Sequence, residues 1–262
     1  MTRLSFSLDD DRYRRLEETA RRIGATPVDV ARIAVEEYLA REISDRAEWL
    51  KERRRLAEER MDLLFAPAYD VEWGQVDPTH RTMLEEFLGL CPRGGFVLDA
   101  ACGTGKYWHL ILEGGFRLAG VDQSKNMLLK ANGKFPGIPL EKAALQDLAY
   151  TNVYDGIICM DAMEYVPPEE WPIVLSNFHR ALRAGGHLYF TVELAEATEL
   201  REAYIAAKAL KLPVVEGEWA YEGGYHYYPG IEQVKEWMAD AGFTLMEEST
   251  GDGYEHFVMG KT

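Results

Sequence analysis

The sequence predicts an α/β protein: a doubly wound seven-stranded sheet with an antiparallel last strand, preceded by a small N-terminal dimerisation domain. Three observations predict it. Apolar runs that end in an acid or a glycine alternate with helical patterns from residue 96 onward. At 97–107 the stretch Val-Leu-Asp-Ala-Ala-Cys-Gly-Thr-Gly-Lys-Tyr runs a strand into a cramped glycine loop. Residues 1–60 hold 14 basic and 14 acidic side chains, so the formal net charge of −15 falls wholly on 61–262. That asymmetry separates two units with different jobs.

The N-terminal unit spans 1–43. Residues 2–8 alternate polar and apolar, with Leu4, Phe6 and Leu8 on one side, as a half-buried strand does. Asp9–Asp11 supply a cap and favourable charge for a helix start. Tyr13, Leu16, Ala20 and Ile23 share one helical face, and Gly24 stops the helix. Thr26 then serves as N-cap, Pro27 as the first helical residue and Asp29 as a near-capping-box acid. Val28, Ala31, Val35 and Leu39 form the second apolar face. A lone strand and two short helices cannot bury enough surface, so two copies are expected to pair strand to strand. The segment resembles the ribbon-helix-helix family of DNA-binding dimers, which implies Arg3, Ser5 and Ser7 facing bases. DNA contact and simple dimerisation both fit; Arg3 is the single cation on the outward strand face, and phosphate contacts need cations.

Residues 44–65 read as a linker helix capped by Ser44, with Trp49, Leu56 and Leu63 at seven-residue intervals. The glutamates interleaved with the arginines of 51–60 give a solvated face. Pro67 ends it.

Residues 66–262 form the body. Strands are expected at 96–100, 117–122, 138–142, 154–160, 186–193, 243–249 and 254–260. Helices are expected at 105–113, 124–134, 169–183, 197–210 and 230–241. Tyr69 and Trp73, ahead of the first strand, read as lid or as core. Glycines in the 101–105 loop let a nucleotide-like ligand approach backbone without a Cβ in the way. Asp122 closes a second strand roughly 20 residues further on, where a carboxylate can accept both ribose hydroxyls.

Four motifs occur in order: Asp99–Gly105, Gly120-Val121-Asp122-Gln123-Ser124, 154–160, and 182–190. Together they resemble the class I S-adenosylmethionine-dependent methyltransferases, a Rossmann-like fold, over about residues 66–262. The resemblance implies S-adenosylmethionine as cofactor. It implies Asp99, Ala101, Gly103, Gly105 and Lys106 near the methionine end, Asp122 on the ribose, Gln123 and Met127 at the adenine edge, and Met160 at the end of the fourth strand. Backbone around Leu145 and Gln146 is expected to hold adenine, with Asp147 uncommitted. Ala101 departs from the family's usual first loop glycine, so the backbone there must tolerate a methyl group.

The acceptor side is expected beyond the same strand ends. Tyr165 follows the fourth strand, Tyr254 and His256 start the last one, and Tyr225, Tyr227 and Tyr228 belong to an aromatic stretch around Gly223-Gly224. That stretch suits a water-excluding cover over a small organic substrate. His226 and His256 are the candidate general bases.

Cys91, Cys102 and Cys159 lack metal-ligand spacing and read as reduced thiols. No run of eighteen apolar residues and no signal-peptide pattern occur, so a cytoplasmic protein without membrane association is expected. The acidic body disfavours a nucleic-acid substrate. The sequence thus predicts a small-molecule methyltransferase, dimeric through 1–43 and with DNA tethering open. A ribbon-helix-helix regulator that senses S-adenosylmethionine without turnover is the alternative.

Overall fold

The computed structural model describes residues 5–220 and 224–261. Seven strands form one sheet in the order β3-β2-β1-β4-β5-β9-β8. They are β1 Phe96–Ala100, β2 Arg117–Asp122, β3 Leu140–Lys142, β4 Tyr154–Cys159, β5 Leu182–Glu193, β8 Phe243–Gly251 and β9 Tyr254–Lys261. The first five run parallel, and β9 is antiparallel to both β5 and β8. Strand order reverses between β1 and β4, so the ligand crevice of such a sheet opens beyond their carboxyl ends.

Neighbouring residues of the central strands face opposite layers, as the pleat requires. Tyr189 of β5 pairs with Val258 of β9, and both pack with Phe87 and Trp108 on one face of the sheet. Phe190 pairs with Phe257, and both pack with Trp171 and Phe178 on the other face. Helices α5 (Pro78–Leu90) and α6 (Trp108–Glu113) supply the first layer, and α8 (Trp171–Ala181) and α10 (Ile231–Asp240) the second. Helix α7 (Lys125–Lys134) follows β2, and α9 (Ala197–Ala209) follows β5. Helix α6 starts three residues later than its pattern suggests, because the turn holding Gly103 and Gly105 extends to Tyr107.

The N-terminal helices form with the expected caps. Asp9 accepts from the Arg12 amide ahead of α1 (Asp10–Arg22), and Thr26 accepts from the Asp29 amide ahead of α2 (Pro27–Ala40). The expected strand is absent from its described part: residues 5–8 are irregular, and Leu4 lies outside the described residues. A strand needs a partner for its hydrogen bonds, and a single copy offers none. The inward face of α2 also differs from expectation. Ile33, Glu37 and Ala40 are buried, whereas Val28, Val35 and Leu39 are exposed. Glu37 explains the choice, since it receives Arg60 at 3.0 Å and Arg53 at 3.7 Å, both from the next helix.

That helix, α3 (Arg46–Arg60), is capped by Asp45 rather than Ser44, and it is no solvated linker. Trp49 and Leu56 are fully buried, and the Trp49 ring meets Tyr225 edge-on at 5.8 Å. Arg46 reaches Glu218 at 2.8 Å and also grips Glu169. Burial works against the Arg46 charge, and the two glutamates more than offset it, raising its pKa. A five-residue π-helical turn, Met61–Phe65, and the short α4 (Tyr69–Glu72) continue the strap across the strand ends. The two-stranded ribbon β6 (Glu218–Trp219) and β7 (His226–Tyr227) lies beneath the Arg46 end. It carried no strand-length pattern in the sequence.

Glu218 is fully buried, so removing Arg46 strands its carboxylate, although the Tyr225 hydroxyl and the Val215 amide still donate to it. Arg46→Met is expected to lower stability by about 3 kcal/mol. Urea denaturation of the variant beside wild type checks this; a loss within about 0.5 kcal/mol would mean that the pair does not anchor α3.

Candidate cofactor and acceptor site

The end of β2 sets the site. Asp122 Oδ2 accepts the Gly103 amide at 2.8 Å, and Oδ1 accepts the Ser124 amide at 2.7 Å. The carboxylate therefore fixes the β1 loop and the start of α7 together. Burial pushes the Asp122 pKa up to about 6 despite those two amides. Both oxygens keep a lone pair for a further donor. Gly103 has φ +52, and a Cβ there would meet nothing within 4 Å, so open space lies above its backbone.

Ala101 adopts φ 64, the left-handed region that its methyl group disfavours. This is the physical content of the departure from glycine. Asp161, one residue past Met160 at the end of β4, also has positive φ, at 55. Strained residues of this kind collect at functional sites and need surroundings that hold them. Asp161 has such surroundings. His80 Nε2 lies 2.8 Å from Oδ1, Tyr107 donates to Oδ2 at 2.9 Å, and the Thr191 hydroxyl accepts the Asp161 amide at 2.9 Å. Burial alone would raise its pKa, but His80, Lys106 and Tyr107 hold it below the usual range. Asp161 thereby ties α5, the glycine loop and β5 together, a role that no motif in the sequence signalled.

A cavity of about 620 Å³ opens over these strand ends. Of the expected cofactor residues, Tyr69, Trp73, Ala101, Gly103, Lys106, Asp122, Gln123, Met127, Leu145 and Gln146 line it. Of the expected acceptor residues, Tyr165, Tyr225, His226, Tyr228 and Tyr254 line it. Five calls are corrected. Asp99 is buried behind the loop, where it accepts from Trp108 Nε1 at 2.7 Å. Gly105 packs against the Trp108 ring, which leaves no room for a Cβ. Met160 is buried in the α5–α6 layer. Tyr227 points into the opposite core and lies against Gly217. His256 is fully buried between the Tyr189 hydroxyl at 2.9 Å and the Gly251 carbonyl at 3.1 Å. It shares a strand face with Tyr254, but His80 covers it, and burial lowers its pKa.

The roof was not foreseen. Arg53, Arg54, Arg60, Met61 and Phe65, from α3 and the π-helical turn, line the cavity opposite the strand ends. Asp62 accepts from the Ser124 hydroxyl at 2.5 Å and the Asn126 amide at 2.9 Å, and thereby locks the roof to α7. Asp70 accepts from the Thr104 hydroxyl at 2.5 Å and from Lys134 at 2.7 Å. The Tyr69 and Trp73 rings, 5.7 Å apart, are thus held over the glycine loop. The periodic Trp49 and Leu56 signalled a buried face; the dense charges around them hid it. At the other end His226 Nδ1 lies 3.0 Å from the Tyr228 hydroxyl and 3.4 Å from Glu193, with its ring edge-on to Tyr165 at 4.8 Å. Tyr221, from the expected aromatic cover, lies outside the described residues.

Comparison with known proteins agrees with this geometry. Residues 97–186 match the family described as a methyltransferase domain. The malonyl-[acyl-carrier protein] O-methyltransferase of Hamiltonella defensa is 32% identical over 112 residues, 42% of each chain. A trans-aconitate 2-methyltransferase of Acidovorax is 24% identical over 180 residues, 58% of this chain and 69% of that one. The chain spans 42%, 43% and 46% of three curated relatives that it matches. Among solved structures, the magnesium protoporphyrin IX methyltransferase of Synechocystis with bound SAH superposes with a TM-score of 0.59 at 16% identity, covering 80% of this chain and all of that one. An S-adenosylmethionine-dependent methyltransferase of Mesorhizobium loti gives 0.54 at 20% identity, covering 67% and 96%.

The fold is that of the class I S-adenosylmethionine-dependent methyltransferases. Within it, residues 97–186 match a methyltransferase-domain family, and the Synechocystis structure of the same fold holds SAH.

A ribose that donates to Asp122 requires its ionised form, so binding releases a proton and weakens as pH falls through about 6. The affinity for S-adenosylhomocysteine is expected to drop about tenfold from pH 7 to pH 5, and Asp122→Asn should remove that step. Calorimetry at both pH values checks this; an equal pH step in the variant would assign the proton elsewhere.

Proposed function

We propose that this protein is an S-adenosylmethionine-dependent methyltransferase acting on a small organic acceptor, with Asp122 holding the ribose. One observation carries the reading: the cavity runs without interruption from Gly103 and Asp122 to Tyr165, His226 and Tyr228, leaving room for an acceptor beside a cofactor. The name of one relative, a trans-aconitate 2-methyltransferase, supports an acceptor of modest size. A glycine loop, an acid placed for ribose and a tyrosine-lined acceptor end in one cavity favour turnover over a sensor.

The cofactor supplies a methyl group on a sulfonium. The chain's part is alignment and exclusion of water. Gln123 and Met127 border the adenine side, together with backbone at Leu145 and Gln146. Tyr69 and Trp73 close over the loop. On the acceptor side His226 is the candidate base, and Glu193 beside it would stabilise an imidazolium. Transfer of isotope-labelled methyl from S-adenosylmethionine to components of a metabolite panel tests the reading. Labelled product is expected with wild type and is reduced at least tenfold in Asp122→Ala; tight cofactor binding without any transfer would favour the sensor.

A dimer through the N-terminal unit remains part of this proposal. Phe6 is 60% exposed and Val28 74% exposed, and Tyr38 and Leu39 are exposed beside them. A second copy would cover these residues and give residues 2–8 a strand partner. Light scattering at tens of micromolar is expected to give a dimer for wild type and a monomer for Phe6→Asp; a wild-type monomer would reject the pairing.

A further inference from the structure

The acceptor end of the cavity holds a buried acid that none of the described lining cations pairs with. Glu164 lines the cavity yet is only 5% exposed, and its Oε2 has no hydrogen-bond partner. The lining cations do not answer it. Lys106 lies between Asp161 at 3.5 Å and Asp77 at 3.7 Å. Arg60 and Arg53 share Glu37, and Arg54 is held by Glu170. Glu193, the second carboxylate at this end, meets the His226 ring at 3.4 Å and the Tyr228 hydroxyl, and no lysine or arginine among the described residues pairs with it. Burial raises the Glu164 pKa well above the carboxylate range, and Glu193 and Asp161 raise it further. Tyr69, Tyr165, Tyr228 and Tyr254 line the same cavity as Glu164.

A buried acid that pairs with no cation among the described residues, in a cavity lined by aromatic residues, is a receptor for a cation. A bound cation would pair with the ionised form of Glu164, which an anionic or a neutral acceptor cannot do. We infer that the methyl acceptor carries a basic amine, which docks as an ammonium between Glu164 and Glu193 within the tyrosine ring. This rests on the methyltransferase reading and narrows it to N-methylation. The ammonium first yields a proton to Glu193 or, through it, to His226. The freed nitrogen lone pair then forms the N–CH3 bond as the C–S bond breaks, and its electron pair stays on sulfur as a thioether. The product is a methylated ammonium that retains one positive charge.

The test is calorimetric titration of the full chain saturated with S-adenosylhomocysteine. The probes are phenethylamine, tryptamine and hexylamine, beside their acid counterparts 3-phenylpropionate, indole-3-propionate and heptanoate. At least one amine is expected to bind, its matched acid at least tenfold more weakly, and Glu164→Gln to weaken the amine at least tenfold. Glu193→Gln serves in the same way should Glu164→Gln not fold. Acids binding as well as amines, no amine binding, or unchanged amine affinity in the variant would overturn the inference. The variant's ratio of S-adenosylmethionine to S-adenosylhomocysteine affinity should equal that of wild type. A fall in that ratio would assign the carboxylate to the sulfonium and also overturn the inference. Failure of wild type to bind S-adenosylhomocysteine would instead strike the methyltransferase reading itself.

Discussion

The Asp122 carboxylate, shared between the amides of Gly103 and Ser124, is the constraint on which the site depends. It joins the end of β2 to the loop after β1 and to the first turn of α7. Hydrogen bonds to a charged group are worth roughly 1.5–3 kcal/mol each, so this one side chain can hold a loop whose own backbone is strained at Ala101. Because burial raises its pKa, the same carboxylate gains most from a ligand that brings hydroxyl donors. The structural task and the proposed ribose contact would draw on the same two oxygens.

A second fixed point lies across the strand-order switch. Asp161, with its left-handed backbone, is braced by His80, Tyr107 and Thr191, and so carries α5, the glycine loop and β5 into one register. Between these two anchors the cavity floor is rigid. Its roof is attached differently, through side-chain bonds from Asp62, Asp70 and Arg46 to the body. A floor built on strands and a roof pinned by polar contacts divide ligand positioning from ligand admission. Motion, if the site opens, belongs to the strap from α3 to α4.

The sheet was legible because β-strand signals and glycine punctuation coincide: five of the seven expected strands begin at the observed residue, β3 is shorter and β5 starts earlier. Asp122, Gly103 and their neighbours were legible as cavity-lining residues because motif spacing fixes them to strand ends. His256 was misread because a two-residue period gives the strand face but not what covers it, here His80. Met160 and Tyr227 were misread because one residue of shift turns a side chain to the other face. Helix α3 was misread because its charges look solvated in sequence, whereas Arg46, Arg53, Arg54 and Arg60 each find a carboxylate in space. Glu164 could have been noticed as an acid following a buried strand, but its isolation from cations exists only in three dimensions.

The central claim is that a cofactor bound at Asp122 lies under the α3–α4 strap, in one cavity with the acceptor site. Hydrogen exchange of the backbone amides, with and without S-adenosylhomocysteine, tests it most directly. Slower exchange is expected in three places at once: the loop at 101–105, the stretch 122–127, and the strap at 57–73. Protection confined to regions away from Asp122, or protection of the loop with no change in the strap, would contradict it.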